Sequence, residues 1–86
     1  MAMQNDTYQI EFDDEADAAY VHVSDAPVAR TNEVADGIIV DFDADDRMVG
    51  VEVLGLRGRV GTGDGASYLN GLVAGLRLRP AAEAAE

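Results

Sequence analysis

Eighty-six residues allow one domain and one modest core, because a chain this short buries only roughly 60–65% of the surface it exposes when unfolded. The formal net charge is −11 and all six basic residues are arginine, a balance that repels nucleic-acid phosphates and anionic lipid and argues against either as a partner. With no cysteine in the chain, disulfides, thiolate metal sites and a cysteine nucleophile are excluded together.

The acidity has two readings: a soluble surface suited to a saline or high-GC source, or an acidic surface matched to a basic protein partner. The first residues, MAMQNDTYQIEFDDEAD, carry neither a basic n-region nor an apolar run, the marks of a secretory leader. No segment approaches the roughly 20 apolar residues of a membrane span. A cytoplasmic protein is the expectation, and the small core makes self-association, as a homodimer, a natural way to bury more surface.

In chain order, Tyr8, Ile10 and Phe12 alternate with Gln9 and Glu11, the period of a half-buried strand. After Asp13-Asp14-Glu15-Ala16-Asp17 the alternation resumes with Ala19, Val21 and Val23. Setting Phe12 against Ala19, Ile10 against Val21 and Tyr8 against Val23 brings every apolar side chain to one face, and a one-residue slip would turn the set over. Val28 to Val34 reads as an edge strand behind Pro27, and Asp36-Gly37 as a turn. A second hairpin pairs Phe42 with Val49 and Val40 with Val51 around the turn Ala44-Asp45-Asp46-Arg47. The glycine-rich stretch from Gly55 to Gly65 reads as a loop. Beyond it, Leu69, Leu72, Val73 and Leu76 form the stripe of an amphipathic helix over residues 66–79, capped by Asp64 or Ser67. Asn70-Gly71 is a competing hairpin signal. Pro80 to Glu86 reads as a flexible acidic tail, leaving 1–79 as the compact domain.

Several residue groups carry chemical promise. From Asp41 to Glu52, acids occupy positions 1, 3, 5 and 12 of a calcium-loop pattern, but Asp46 stands where the sharp turn needs glycine and the flanks alternate like strands. Asp41, Asp43 and Glu52 fall on one sheet face in the hairpin register, and they are the candidate ligands for a divalent cation. Asp13, Asp14, Glu15 and Asp17 form a second acidic group, in an exposed turn that offers no burial to set two carboxylates apart. Its expected work is solvation and hydrogen bonding to the turn backbone. His22, Ser24 and Asp25 are the residue types of a hydrolytic triad, yet His22 and Ser24 lie roughly 6.8 Å apart along a strand. Gly61-Thr62-Gly63-Asp64-Gly65, with Arg57 and Arg59 upstream, invites an anion to a helix start, although Asp64 would occupy the cradle. No residue is assigned a catalytic role.

Phe12-Asp13-x-x-x-Asp17-x-x-Tyr20-Val21, followed by Val40-Asp41-Phe42-Asp43 and Val49-Gly50-Val51-Glu52-Val53-Leu54, resembles the small prokaryotic domain-of-unknown-function family 2283 over residues 8–54. Phe12 stands where that family usually has tyrosine, and Asp46 where its turn usually has glycine. The resemblance implies a compact β-rich domain and brings no catalytic residues or cofactor. Genes of that family often sit beside those of small toxin-like proteins, which implies an antitoxin-like binding role.

The expected fold is α+β: an antiparallel β-meander of four or five strands with a C-terminal helix packed on one face. Ile10, Phe12, Val21, Val23, Val40, Phe42, Val51 and Val53 are the expected core, and Tyr20, Ile39, Met48 and Leu54 sit among charges on the opposite face. The expected function is a non-enzymatic protein-interaction or regulatory module, of which an antitoxin-like partner of a basic protein is one form. The alternative is a divalent-cation-dependent ligand-binding or hydrolytic protein that uses the acidic sheet face.

Overall fold

The computed structural model describes residues 8–77. Its elements are β1 (Gln9–Asp13), β2 (Ala18–His22), β3 (Arg30–Ala35), β4 (Ile38–Phe42), β5 (Met48–Leu54), α1 (Leu56–Val60) and α2 (Gly65–Arg77). The strands form one antiparallel sheet in the order β1-β2-β5-β4-β3, so the α+β class and the five strands are as the alternation requires. The order departs from a strictly sequential meander at one point. β2 lies beside β5 instead of β3, and β3 is left at the far edge as expected.

The first hairpin has the expected register, with Ile10 opposite Val21 and Phe12 opposite Ala19. Its turn uses the acids for backbone work. The Asp13 carboxylate accepts from the Ala16 N–H at 3.1 Å, and Asp17 takes a left-handed backbone, φ 55°, which Asp tolerates better than most residues.

The second hairpin corrects the expected pairing. Phe42 faces Met48, not Val49, while Val40 still faces Val51. The reason lies in the turn. Asp46 adopts φ 65°, its N–H donates to the Asp43 carbonyl at 3.0 Å, and the Asp43 N–H donates to the Arg47 carbonyl at 2.9 Å. That is a tight turn closed by a left-handed residue, one residue shorter than expected. The displacement is undone by a bulge between Asp41 and Phe42, where β5 carries Val49 as an extra residue. Met48 therefore turns inward and packs against the core, not outward beside Tyr20.

The core gathers Ala19 and Val21 from β2, Ile38 and Val40 from β4, Val51 and Val53 from β5, and Leu69 and Val73 from α2. The helical stripe thus supplies two fully buried residues, with Leu72 and Leu76 packed at the margin. Asp64 caps α2, accepting from the Ser67 N–H at 3.3 Å and the Ser67 hydroxyl at 2.9 Å. The expected core needs correction at β1, where Ile10 is only partly buried and Phe12 remains 51% exposed. β1 is an edge strand, so its side chains are covered from one flank only.

The stretch after Leu54 is not all loop. Leu56 to Val60 forms the short helix α1, and its arginines fasten it to both hairpins. Arg57 donates to the Asp14 carbonyl at 3.0 Å. Arg59 donates to the Leu54 carbonyl at 2.7 Å and the Asp36 carbonyl at 2.6 Å. Asp17 accepts the Leu56 N–H through its carbonyl and the Arg57 N–H through its carboxylate. The expected tail, Pro80 to Glu86, and the last residues of the expected helix lie outside the described residues.

Candidate functional site: the open sheet face

Residues directly opposite in the register share a face. Opposite the α2 side, the sheet presents Gln9, Glu11 and Asp13 on β1, Ala18, Tyr20 and His22 on β2, and Gly50, Glu52 and Leu54 on β5. Ile39 and Asp41 on β4 and Thr31 and Glu33 on β3 complete it. Among the described residues, five carboxylates stand on this face and no arginine does, and His22 is its one basic side chain.

Tyr20 organises the centre. Its ring leans from β2 across β5 at Gly50, where an added Cβ would overlap the Tyr20 hydroxyl and fall 2.8 Å from Cε2. The phenol then reaches β4 and donates to Asp41 Oδ2 at 2.7 Å. Asp41 Oδ1 accepts from the Thr31 hydroxyl on β3 at 2.6 Å. One side-chain relay therefore spans β2, β5, β4 and β3. Partial burial, then the hydrogen bond and charge of Asp41 and the charges of Glu52 and Glu11, push the phenol up to about 12. It stays protonated and acts as a donor. His22 completes the cluster, its ring edge-on to Tyr20 with centroids 4.8 Å apart and its Nε2 3.3 Å from Glu11 Oε2.

The candidate cation ligands are not brought together. Asp41 is held by Tyr20 and Thr31, and Glu52 lies opposite Tyr20 and Ile39. Asp43 Oδ1 is occupied in the turn by the Asp45 N–H at 2.8 Å and the Arg47 N–H at 2.9 Å. Among the described residues, no group of three histidine, cysteine or carboxylate side chains is placed to hold a metal. The triad types are separated as well: Ser24 Oγ accepts from the Ala26 N–H, while His22 sits against Glu11. The imagined anion cradle has its arginines committed to carbonyls and its Asp64 carboxylate committed to the cap.

Sequence reasoning misses the relay, though a signal for it exists. Gly50 interrupts a β-branched run, and an isolated glycine within a strand marks a close approach by another group. Beside the relay, toward the β1–β2 turn, an open groove of about 510 Å³ runs between Glu11 and Asp13 on one side and Tyr20, Glu52 and Leu54 on the other, with Ala18 between them.

A five-stranded antiparallel sheet followed by a C-terminal helix defines a small α+β domain. Residues 9–57, more than half of the chain, match the family model described as "Protein of unknown function (DUF2283)", and the chain belongs to that family. No curated protein and no solved structure matches it. Among the described residues, no helix is long and apolar enough to cross a membrane.

Proposed function

We propose that this protein is a non-enzymatic interaction module that binds a basic protein through the open face of its sheet, in the manner of an antitoxin holding its partner. The observation that carries this reading is the sorting of charge. Glu11, Asp13, Glu33, Asp41 and Glu52 share the uncovered face, while the described arginines lie elsewhere, on α1, α2, the β4–β5 turn and the Phe42 side of β3. A single-sign face steers an oppositely charged partner and rejects others. A neutral phenol locked to Asp41 gives that face a fixed shape, and pre-organised surfaces lose less entropy on binding. A cytoplasmic address accords with a cysteine-free chain.

Affinity capture from an extract of the source cells tests it, run in parallel with a Glu11→Arg, Glu33→Arg, Glu52→Arg variant. The expected result is a basic protein retained by wild type, released by about 0.5 M salt and absent with the variant. A partner that is retained equally by both overturns the reading. Calorimetry with calcium, magnesium and manganese separates it from the cation-dependent alternative. A saturable heat that Asp41→Asn abolishes would favour the latter.

A further inference from the structure

We propose that the outer edge of β1 is the docking strand, and that its occupant is an extended partner segment alternating basic and apolar residues. This rests on the basic-partner reading and specifies where and in what form the partner binds. In an antiparallel sheet, successive residues turn their N–H and C=O groups to opposite neighbours. The Leu54 N–H donates to the Gly37 carbonyl, and the Val23 N–H to the Val49 carbonyl. Gly50, Glu52 and Leu54 thus turn toward β4, and Val51 and Val53 toward β2. By the same alternation Ala18, Tyr20 and His22 turn toward β1, where Asp13, Glu11 and Gln9 answer them.

Ile10 and Phe12 are then left with their N–H and C=O groups directed out of the sheet. Tyr8, of the same parity, gives its N–H to Asn70 Oδ1 at 3.2 Å, which bounds the open stretch on one side. No hydrogen bond from another described residue reaches the outward groups of Ile10 and Phe12.

The two edges of the sheet differ. β3 is interrupted between Glu33 and Ala35 by a register shift, a device that blunts an edge against pairing. β1 pairs with β2 over five residues without any shift, and it carries neither proline nor lysine.

The side chains of β1 dictate those of an added strand. Glu11 and Asp13 on the open face call for basic residues. On the other face Ile10, and Phe12 at 51% exposure, call for apolar ones. A second copy of this chain fits poorly: antiparallel registers of two β1 edges centred on Glu11 or Phe12 set Glu11 against Glu11 or Asp13, and like charges directly opposite are destabilising, while the register centred on Ile10 pairs Phe12 with Tyr8, whose N–H is already given to Asn70. Two outward residues form a ladder for a segment of about five residues.

The test titrates full-length protein, at low salt, with the peptide Ac-Gly-Arg-Val-Arg-Val-Arg-Gly-NH2 and with a scrambled version that blocks the arginines together, while amide resonances and amide exchange are followed. The expected result is that the Ile10 and Phe12 N–H signals shift and exchange more slowly with the alternating peptide, and that the scrambled one binds about 10-fold more weakly. Glu11→Gln with Asp13→Asn, which keeps an acceptor for the Ala16 N–H, should weaken the alternating peptide about 5–10-fold. Equal binding of both peptides, with shifts scattered over the carboxylates, overturns the docking strand but leaves the basic-partner reading standing. Shifts centred on Thr31 and Glu33 overturn it in favour of the β3 edge. Concentration-dependent shifts at Ile10 and Phe12 without peptide overturn it in favour of a second copy, and no binding at millimolar peptide also overturns it.

Discussion

The two faces of the sheet are built from alternate residues of the same strands, yet different forces hold them. Toward α2, Val21, Val40, Val51 and Val53 meet Leu69 and Val73, and all six are essentially inaccessible to water; here burial of apolar area does the stabilising. On the opposite face the order comes from one directional relay, Tyr20 to Asp41 to Thr31, surrounded by carboxylates. The burial side tolerates little change in volume, whereas the relay side depends on a few positions. One face is thus committed to the fold, and on the reading proposed above the other serves recognition.

If burial dominates the helix side, Leu69→Ala should be the most damaging single change. Leu69 is the largest side chain with no exposure, and truncating such a residue costs about 3–4 kcal/mol, a large share of the roughly 5–15 kcal/mol typical of a whole domain. Urea unfolding should show a much lower midpoint with little change in slope. A loss below about 1 kcal/mol would mean that α2 is not what closes the sheet.

Next in size is Gly50→Ala, which attacks the relay sterically. The added methyl group overlaps the Tyr20 ring, so the ring must leave Asp41, and overpacking combined with a lost hydrogen bond should cost about 2–3 kcal/mol. The same substitution made in a Tyr20→Ala background should cost less than about 1 kcal/mol, because the obstacle is gone. Equal costs in the two backgrounds would remove Tyr20 as the reason for the glycine.

How these regions read from the sequence follows from the same division. Period-two alternation announces the strands, the pairing of the first hairpin and the apolar face, because burial acts on whole sets of residues. The shorter turn at Asp43–Asp46 and the compensating bulge at Val49 escape it, since Asp46 has to adopt a left-handed backbone that sequence only permits. Helix α1 escapes because its stability is borrowed: Arg57 and Arg59 reach carbonyls 43 and 23 residues away in sequence. Alternation also makes Asp41, Asp43 and Glu52 neighbours along a hairpin. Which of them is consumed by a turn, and which by a tyrosine 21 residues away, is a matter of tertiary contact.

Tyr20→Phe probes the relay more gently. It removes the donor and keeps the ring over Gly50, so a loss of about 1 kcal/mol is expected near neutral pH. The phenol is raised in the fold to about 12 from an ordinary 10.0. Its contribution should therefore be fully present below about pH 10 and fade as pH climbs from about 10 to 12. Wild type and Tyr20→Phe should differ in urea midpoint at about pH 8 and converge toward about pH 12. A constant gap across that range would mean that the hydroxyl acts through packing and not through its proton.

The smallest effect on stability is expected at Phe12, and this is where the comparison of faces is sharpest. Alternation places Phe12 on the apolar side, but its position at the edge leaves it half exposed, so Phe12→Ala should cost about 1 kcal/mol or less, against roughly 3–5 for a buried phenylalanine. Its apolar surface is then available to an incoming strand, and burying the ring on binding should matter more than burying it on folding. The variant is expected to melt close to wild type yet bind the alternating arginine–valine peptide about 5-fold or more less tightly. If stability falls as far as it does for Leu69→Ala, the Phe12 side chain belongs to the core of the fold. If neither stability nor binding changes, the apolar half of the β1 edge takes no part in recognition, and charge alone must select the partner.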